Sequence, residues 1–333
     1  MEILAYSYRG PLKDLSYTGS VAVVNSEGKL LYYAGDPQKV AYLRSSAKPM
    51  QAMCALESGA VDAYGLTEEE LAVLCSSHSG EAFHVKAIRS ILAKAGLDES
   101  YLQCGVHAPL NQKAAQALEQ RGEAPGQIHN NCSGKHTGML ITAKYLGEDL
   151  QTYYKPEHNV QQRILNKIAD LCQYDPAKIV IGIDGCGVPV HALPLDHAAW
   201  AAAKLSRPET LGEKAPLAER ITSAMMAYPK MVSGTGRFDA VLMSTFPGNI
   251  FSKAGADGYE IVGIKDKGLG IAVKADDGNT DIRSMVVVET LRQLGYVTKE
   301  NEQAFEKIVR KEVYNHKKEL VGYTVPEFTL HKA

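Results

Sequence analysis

The sequence predicts an α+β fold in which one sheet is built from both chain ends and a helical subdomain is inserted between its halves. Three observations predict it. The first forty residues carry β-rich runs, residues from about 41 to 237 carry mostly helical patterns, and β-rich runs return after residue 238. No linker, repeat or low-complexity stretch separates these blocks. The 333 residues therefore read as a single domain, with a sheet subdomain of about 1–40 plus 238–333 and a helical subdomain of about 41–237.

Residues 20–24 (SVAVV) and 30–33 (LLYY) are β-rich, and Asn-Ser-Glu-Gly between them is a hairpin signal. A helix follows from about residue 44, with Pro49 tolerated near its start and Gly59 suited to its end. Thr67 and Glu70 have capping-box spacing, which marks the next helix start. Residues 82–94, stopped by Gly96, then 160–172 and 196–227, also read as helical, interrupted by one β-rich run at 179–183. After residue 238 the sequence predicts strands at 240–244, 250–253, 260–264 and 270–274, with glycine or Asp-Gly in the turns. A capped helix at 281–294, closed by Gly295, follows them.

The composition bounds the function. A net charge of −2 with no long run of one sign argues against nucleic acid or a membrane surface as partner, since both call for a basic face. No apolar stretch reaches the roughly 18 residues of a membrane span, and the first residues lack a signal-peptide pattern. Six cysteines scattered through a long chain fit a reducing compartment, so the expected location is the cytoplasm.

Candidate chemistry begins at Arg44-Ser45-Ser46-Ala47-Lys48. Three residues apart on a helix, the Ser45 hydroxyl and the Lys48 amine share a face. Serine becomes a nucleophile when a neighbour removes its proton, and a lysine can do so where burial favours its neutral form. Between Ser45 and Leu56 the helix is apolar nearly all round and Lys48 is its one charge, which supports chemistry over a capping serine beside a snorkelling lysine. Ser26 and Lys29 have the same spacing but sit in the hairpin turn and read as solvated.

An apolar run next stops at Ser76-Ser77-His78-Ser79, where Ser77 is a second candidate and Ser79 reads as the cap of the following helix. Lys253-Ala254-Gly255 lies on a predicted strand. Together these three follow the order S-x-x-K, Ser-rich turn, K-x-G of penicillin-recognising serine hydrolases. Cys132 and His136, at i and i+4, open another helix, and Asp184-Gly185-Cys186-Gly187 forms a tight turn. Two cysteines in polar, glycine-flanked turns beside His and Asp point to a zinc or reactive-thiol site rather than to small buried hydrophobes. Gly234-Thr235-Gly236 precedes a predicted strand, which excludes a dinucleotide loop, and Arg237 with Asp239 reads as a structural pair.

RSSAKPMQA (44–52), SSHSGE (76–81), CGVHAP (104–109), HNNCSGKHTGML (129–140), GIDGCGVPV (182–190), GTGRFD (234–239) and FSKAGADG (251–258) together resemble the Rhizobium-type L-asparaginases. These are zinc-containing amidohydrolases with a serine β-lactamase and glutaminase-like fold. The resemblance implies one catalytic tandem at Ser45 and Lys48 and a second at Ser77 and Lys253. It implies zinc ligands at Cys132, Lys135 and Cys186, substrate-side roles for Arg44, His136 and Asp184, and a homodimer. The family's Glu-Ser-x-His near the N-terminus is replaced here by Asp14-Leu15-Ser16-Tyr17, which leaves the substrate preference open.

The implied reaction is hydrolysis of L-asparagine to aspartate and ammonia through an acyl-enzyme. A glutaminase or another small-amide hydrolase is the rival within the class, and a non-catalytic zinc or amino-acid binding protein the rival outside it. Which serine attacks first does not follow from the residues.

Overall fold

The computed structural model describes residues 2–333. Both chain ends do build one sheet. Its N-terminal strands are β1 (Glu2–Arg9), β2 (Leu12–Asn25) and β3 (Leu30–Ala34). A second, three-stranded sheet holds β4 (Val40–Tyr42), β5 (Val180–Ile183) and β6 (Pro189–Pro194), in the order β4-β6-β5. The large sheet is completed by β7 (Ile250–Ala254), β8 (Tyr259–Ile264), β9 (Leu269–Ala275), β10 (Lys311–Tyr314), β11 (Leu320–Pro326) and β12 (His331–Lys332). Its order is β10-β11-β1-β2-β9-β8-β7, with β3 joined to β2 and β12 to β3.

Every pairing in it is antiparallel. β2 is long enough to pair β1 with its first half and both β3 and β9 with its second.

Period-two side chains sort the sheet's two faces. Val21 and Val23 of β2, Val262 and Ile264 of β8, and Ile271 and Val273 of β9 face a core closed by the helix Thr280–Gln293. Ala22, Val24, Ile261 and Ala272 face the other core, which runs into the helical subdomain. There the helix Leu195–Ser206 lies directly on the sheet. A Cβ on Gly270 would stand 1.8 Å from the Ala199 carbonyl oxygen, so only glycine admits this approach.

Sequence and structure agree on the 25–28 hairpin turn, the capping box, the helices near 82–94, 160–172 and 281–294, and three of the four returning strands. Residues 240–244 depart from expectation. They lie in a helix, Phe238–Thr245, whose buried Asp239, Ala240, Leu242 and Met243 follow helical rather than alternating spacing. The run 179–183 is a strand, but as one member of the small sheet rather than an isolated element. Ser79 caps nothing. The next helix is entered through Glu81, and the Ser79 hydroxyl donates to the Ser233 carbonyl at 2.7 Å.

Candidate active site

The site forms where four segments converge under the edge of the large sheet. The first is a short 3-10 turn, Arg44–Ala47, continuing into the helix Lys48–Glu57. Lys48 is fully buried and its Nζ is aimed inward. It donates to the Ser76 carbonyl (2.6 Å) and the Ser77 hydroxyl (3.0 Å), and reaches the Asn131 carbonyl and the Cys132 sulfur at 3.4 Å. Ser45 holds no hydrogen bond to Lys48, contrary to the pairing expected from spacing. The reason is physical: a buried amine needs several acceptors at once, and the 76–77 turn and Asn131 supply them where one hydroxyl could not. Burial depresses the proton affinity of Lys48, the Cys132 sulfur restores part of it and the Lys135 charge lowers it further.

The second segment is the turn after the helix Glu68–Leu74. Ser77 is anchored by its own N–H donating to the Val232 carbonyl at 2.9 Å. His78, next in line, is fully buried and neutral. Its Nδ1 accepts from the Gly80 N–H, so its Nε2–H donates to Ser133 Oγ, which in turn donates to the Ile128 carbonyl. Burial first, and the nearby His84 and Lys48, hold its pKa well below the ordinary value.

The helix Ser133–Tyr145 is the third segment, with Cys132 at its N-cap position. Lys135 Nζ lies 3.0 Å from Cys186 Sγ, which comes from the turn after β5. Cys132 and Cys186 shift each other's thiols in opposite directions. The hydrogen bond from Cys132 brings the Cys186 pKa down to about 5 against the effect of burial, while the same bond and burial push Cys132 up to about 12. Burial acts against the charge on Lys135, but the two sulfurs outweigh it and raise its pKa.

Two sulfurs and an amine nitrogen, all buried, are a donor set that suits a zinc ion. Among the described residues no group of three or more His, Cys, Asp or Glu side chains has metal-site geometry. His136 is fully buried. Its Nδ1 shares a hydrogen bond of 2.7 Å with the Tyr153 hydroxyl, and its Nε2 has no partner.

Asp184 and Arg44, both given substrate-side roles by the resemblance, meet each other at 2.8 Å, and Arg44 also pairs with Asp257. Burial opposes the charge on Asp184, but Lys135 and Arg44 outweigh it and lower its pKa. Arg44 and Asp257 both hold positive φ, +51° and +54°, a conformation that costs a non-glycine residue about 1–3 kcal/mol. Such outliers cluster where a site over-determines its residues.

The fourth segment is β7, whose Lys253 is fully buried. Its Nζ donates to the Ala254 carbonyl (2.7 Å) and lies 3.7 Å from the Asp239 carboxylate. It makes no hydrogen bond to Ser77, so neither serine–lysine pair expected from the sequence is closed as expected; Lys48 with Ser77 is closed instead. Asp239 therefore faces Lys253, not Arg237. Two contributors were not singled out in the sequence although they lie in the motif stretches: Asn131 and His107, whose Nε2 accepts from the Asn131 N–H. Glu260 lies outside them, but a carboxylate inside the apolar strand YEIVGI is itself a signal. Asp14 is exposed and Tyr17 bonds Ser7 on the neighbouring strand.

The model of the L-asparaginase II family matches residues 5–326. The chain belongs to that family. With it comes the coarser function, amidohydrolase. No curated protein matches the sequence. Solved structures with a similar fold include Mglu, at 13% identity and a TM-score of 0.39, covering 90% of this chain and 72% of that one. A β-lactamase from Mycobacterium bovis (15%, TM-score 0.43, 83% of this chain and 94% of that one) is another. A third is a β-lactamase homologue from Bacteroides dorei (12%, TM-score 0.45, 82% and 93%). In another Mglu structure the chain spans 62% of the length.

Proposed function

We propose that this family member hydrolyses L-asparagine to L-aspartate and ammonia by serine–lysine catalysis. The observation that carries the reading is the fully buried Lys48 amine, 3.0 Å from one serine hydroxyl and one helical turn from another. Ser45, the half-buried hydroxyl of the two, attacks the side-chain carboxamide carbon, and its proton passes to Lys48. Ser77, already bonded to Lys48, returns that proton to the departing nitrogen, so ammonia leaves and an acyl ester remains on Ser45. Water then cleaves the ester to aspartate. Burial and the nearby charge of Lys48 lower the proton affinity of Lys253, which keeps the two amines from being charged together.

Arg44 and Asp184 exchange each other for the α-carboxylate and α-ammonium of the substrate, with His136 at the same wall. Cys132, Lys135 and Cys186 are the residues to hold zinc, which when bound would fix charge and orientation beside the serines. The homodimer and the cytoplasmic location belong to the same proposal. β5 is an edge strand with Val180, Ile181 and Ile183 exposed, apolar surface of the kind a second copy could cover.

Ammonia release from L-asparagine and L-glutamine, with ring opening of β-lactams followed by absorbance, tests it. L-asparagine should be cleaved far faster than L-glutamine, because a clamp on both α-groups fixes the reach of the side chain. Equal rates on the two amides would remove the specificity, and no release from any would favour the binding-protein reading. Elemental analysis should find about one zinc per chain, the content of a single such site. Cys132→Ser should lose most of it, since a hydroxyl is a poor substitute for a thiolate. Unchanged metal in that variant would leave both cysteines as buried thiols.

A further inference from the structure

Behind Lys253, away from the serines, lies a buried chain of charged groups that the reaction above does not use. Asp239 is in the first turn of the helix Phe238–Thr245 and 2% exposed. One carboxylate oxygen accepts from the Ser252 hydroxyl at 3.2 Å; the other accepts from the Ala254 N–H at 3.2 Å and lies 3.7 Å from Lys253 Nζ. The carboxylate thus grips β7 on both sides of the lysine as well as the lysine itself. Ser252 Oγ also lies 2.7 Å from Glu260 on β8, and Glu260 lies 2.9 Å from Arg283 Nε on the helix behind. Ser252 and Glu260 are fully buried, and Arg283 is 6% exposed.

We infer that Asp239 is a positioning residue for Lys253, setting both its place on β7 and its affinity for the proton, while Ser252 and the Glu260–Arg283 pair hold Asp239 in turn. The inference rests on Lys253 belonging to the catalytic set proposed above. Its physical content is a balance. Burial drives the proton off Lys253, as do the charges of Lys48 and Arg237, whereas Asp239 and Glu260 hold it on. Cys75 and Arg283 also lie nearby, and among the described residues Asp239 is the one carboxylate within 4 Å of Lys253. Without Asp239 the amine would hold its proton less tightly. With it, the lysine can be charged and discharged near neutrality.

Asp239→Asn keeps the volume and removes the charge. In protein labelled with ¹³C at lysine Cε, the Lys253 signal is identified by its loss in Lys253→Met. Its titration midpoint should fall in Asp239→Asn by about one pH unit or more, the effect of losing one close opposite charge. The acid limb of the rate profile should move down by the same amount, which a merely structural aspartate would not cause. An unchanged midpoint in folded Asp239→Asn protein overturns the inference.

Should the single variant fail to fold, the double variant Asp239→Asn/Lys253→Met keeps the question answerable. Removing both partners should give a more stable protein than removing Asp239 alone, because no uncompensated buried charge is left. A double variant no more stable than the single one overturns the inference too. If the wild type hydrolyses no amide, the proposed function falls, but the Lys253 titration still decides the role of Asp239.

Discussion

Ser45→Ala and Lys48→Met should each lower amide hydrolysis by about 10⁴-fold or more, the scale seen when a nucleophile or its base is removed. The same changes should leave a folded protein. Methionine keeps most of the lysine volume and has no charge to desolvate, which favours it at a fully buried position. Against this, the Ser76 carbonyl and Ser77 hydroxyl each lose a donor, a cost of about 1–3 kcal/mol per buried group left unpaired. The terms oppose, so the melting temperature should move by only a few degrees.

Groups that act as a unit are non-additive, and the double variant should be scarcely slower than either single one. Lys29→Met is the matched control. Lys29 has the same spacing from Ser26, but it is exposed in the hairpin turn, so its loss should leave the rate nearly unchanged. Substantial turnover by Lys48→Met would end the proposal for this helix and move the search to Ser77 with Lys253.

Local signals were legible, and contacts made at a distance were not. Thr67 and Glu70 satisfy each other's backbone N–H groups as a capping box requires, because both partners lie within one turn. Asn-Ser-Glu-Gly turns the chain between β2 and β3, with Gly28 at φ +86°. The seven motif stretches place every candidate residue near the site.

Which serine Lys48 would bond was not readable. The decisive acceptors, two of them backbone carbonyls, come from residues 76 and 131, and backbone groups leave no mark on residue type. Spacing of three made Ser45 the natural partner only while the rest of the fold was out of view. Residues 240–244 failed for a different reason. A short apolar run fits either period, and the helix there is chosen by packing against both cores and by Asp239 facing Lys253. Asp239 reads as the partner of Arg237 until the fold brings its helix against β7 and Lys253.

Gly134→Ala should damage both stability and activity, although helix propensity alone favours it. In the first turn of the helix Ser133–Tyr145 alanine is worth about 1 kcal/mol over glycine. A Cβ at 134, however, would stand 2.2 Å from the Val73 carbonyl oxygen and 2.9 Å from Ser76 Oγ. The first of these is backbone and cannot turn aside, so overpacking of about 1–3 kcal/mol, or more, outweighs the propensity gain.

The same displacement reaches the chemistry. The Val73 carbonyl accepts the Ser76 N–H in the turn that aims Ser76 and Ser77 at Lys48, and the helix being pushed away carries Cys132 and Lys135. A shift of about 1 Å in such a constellation costs about 100-fold in rate. Gly138→Ala, one turn further along, separates packing from propensity. Its Cβ would meet Leu74 at 3.6 Å, an ordinary contact, so that variant should be as stable as the wild type or more so, and as active. Thermal melting and ammonia release on the two variants read both effects. A Gly134→Ala protein that melts as high as the wild type and turns over at the same rate would show that the two segments can part without disturbing Lys48.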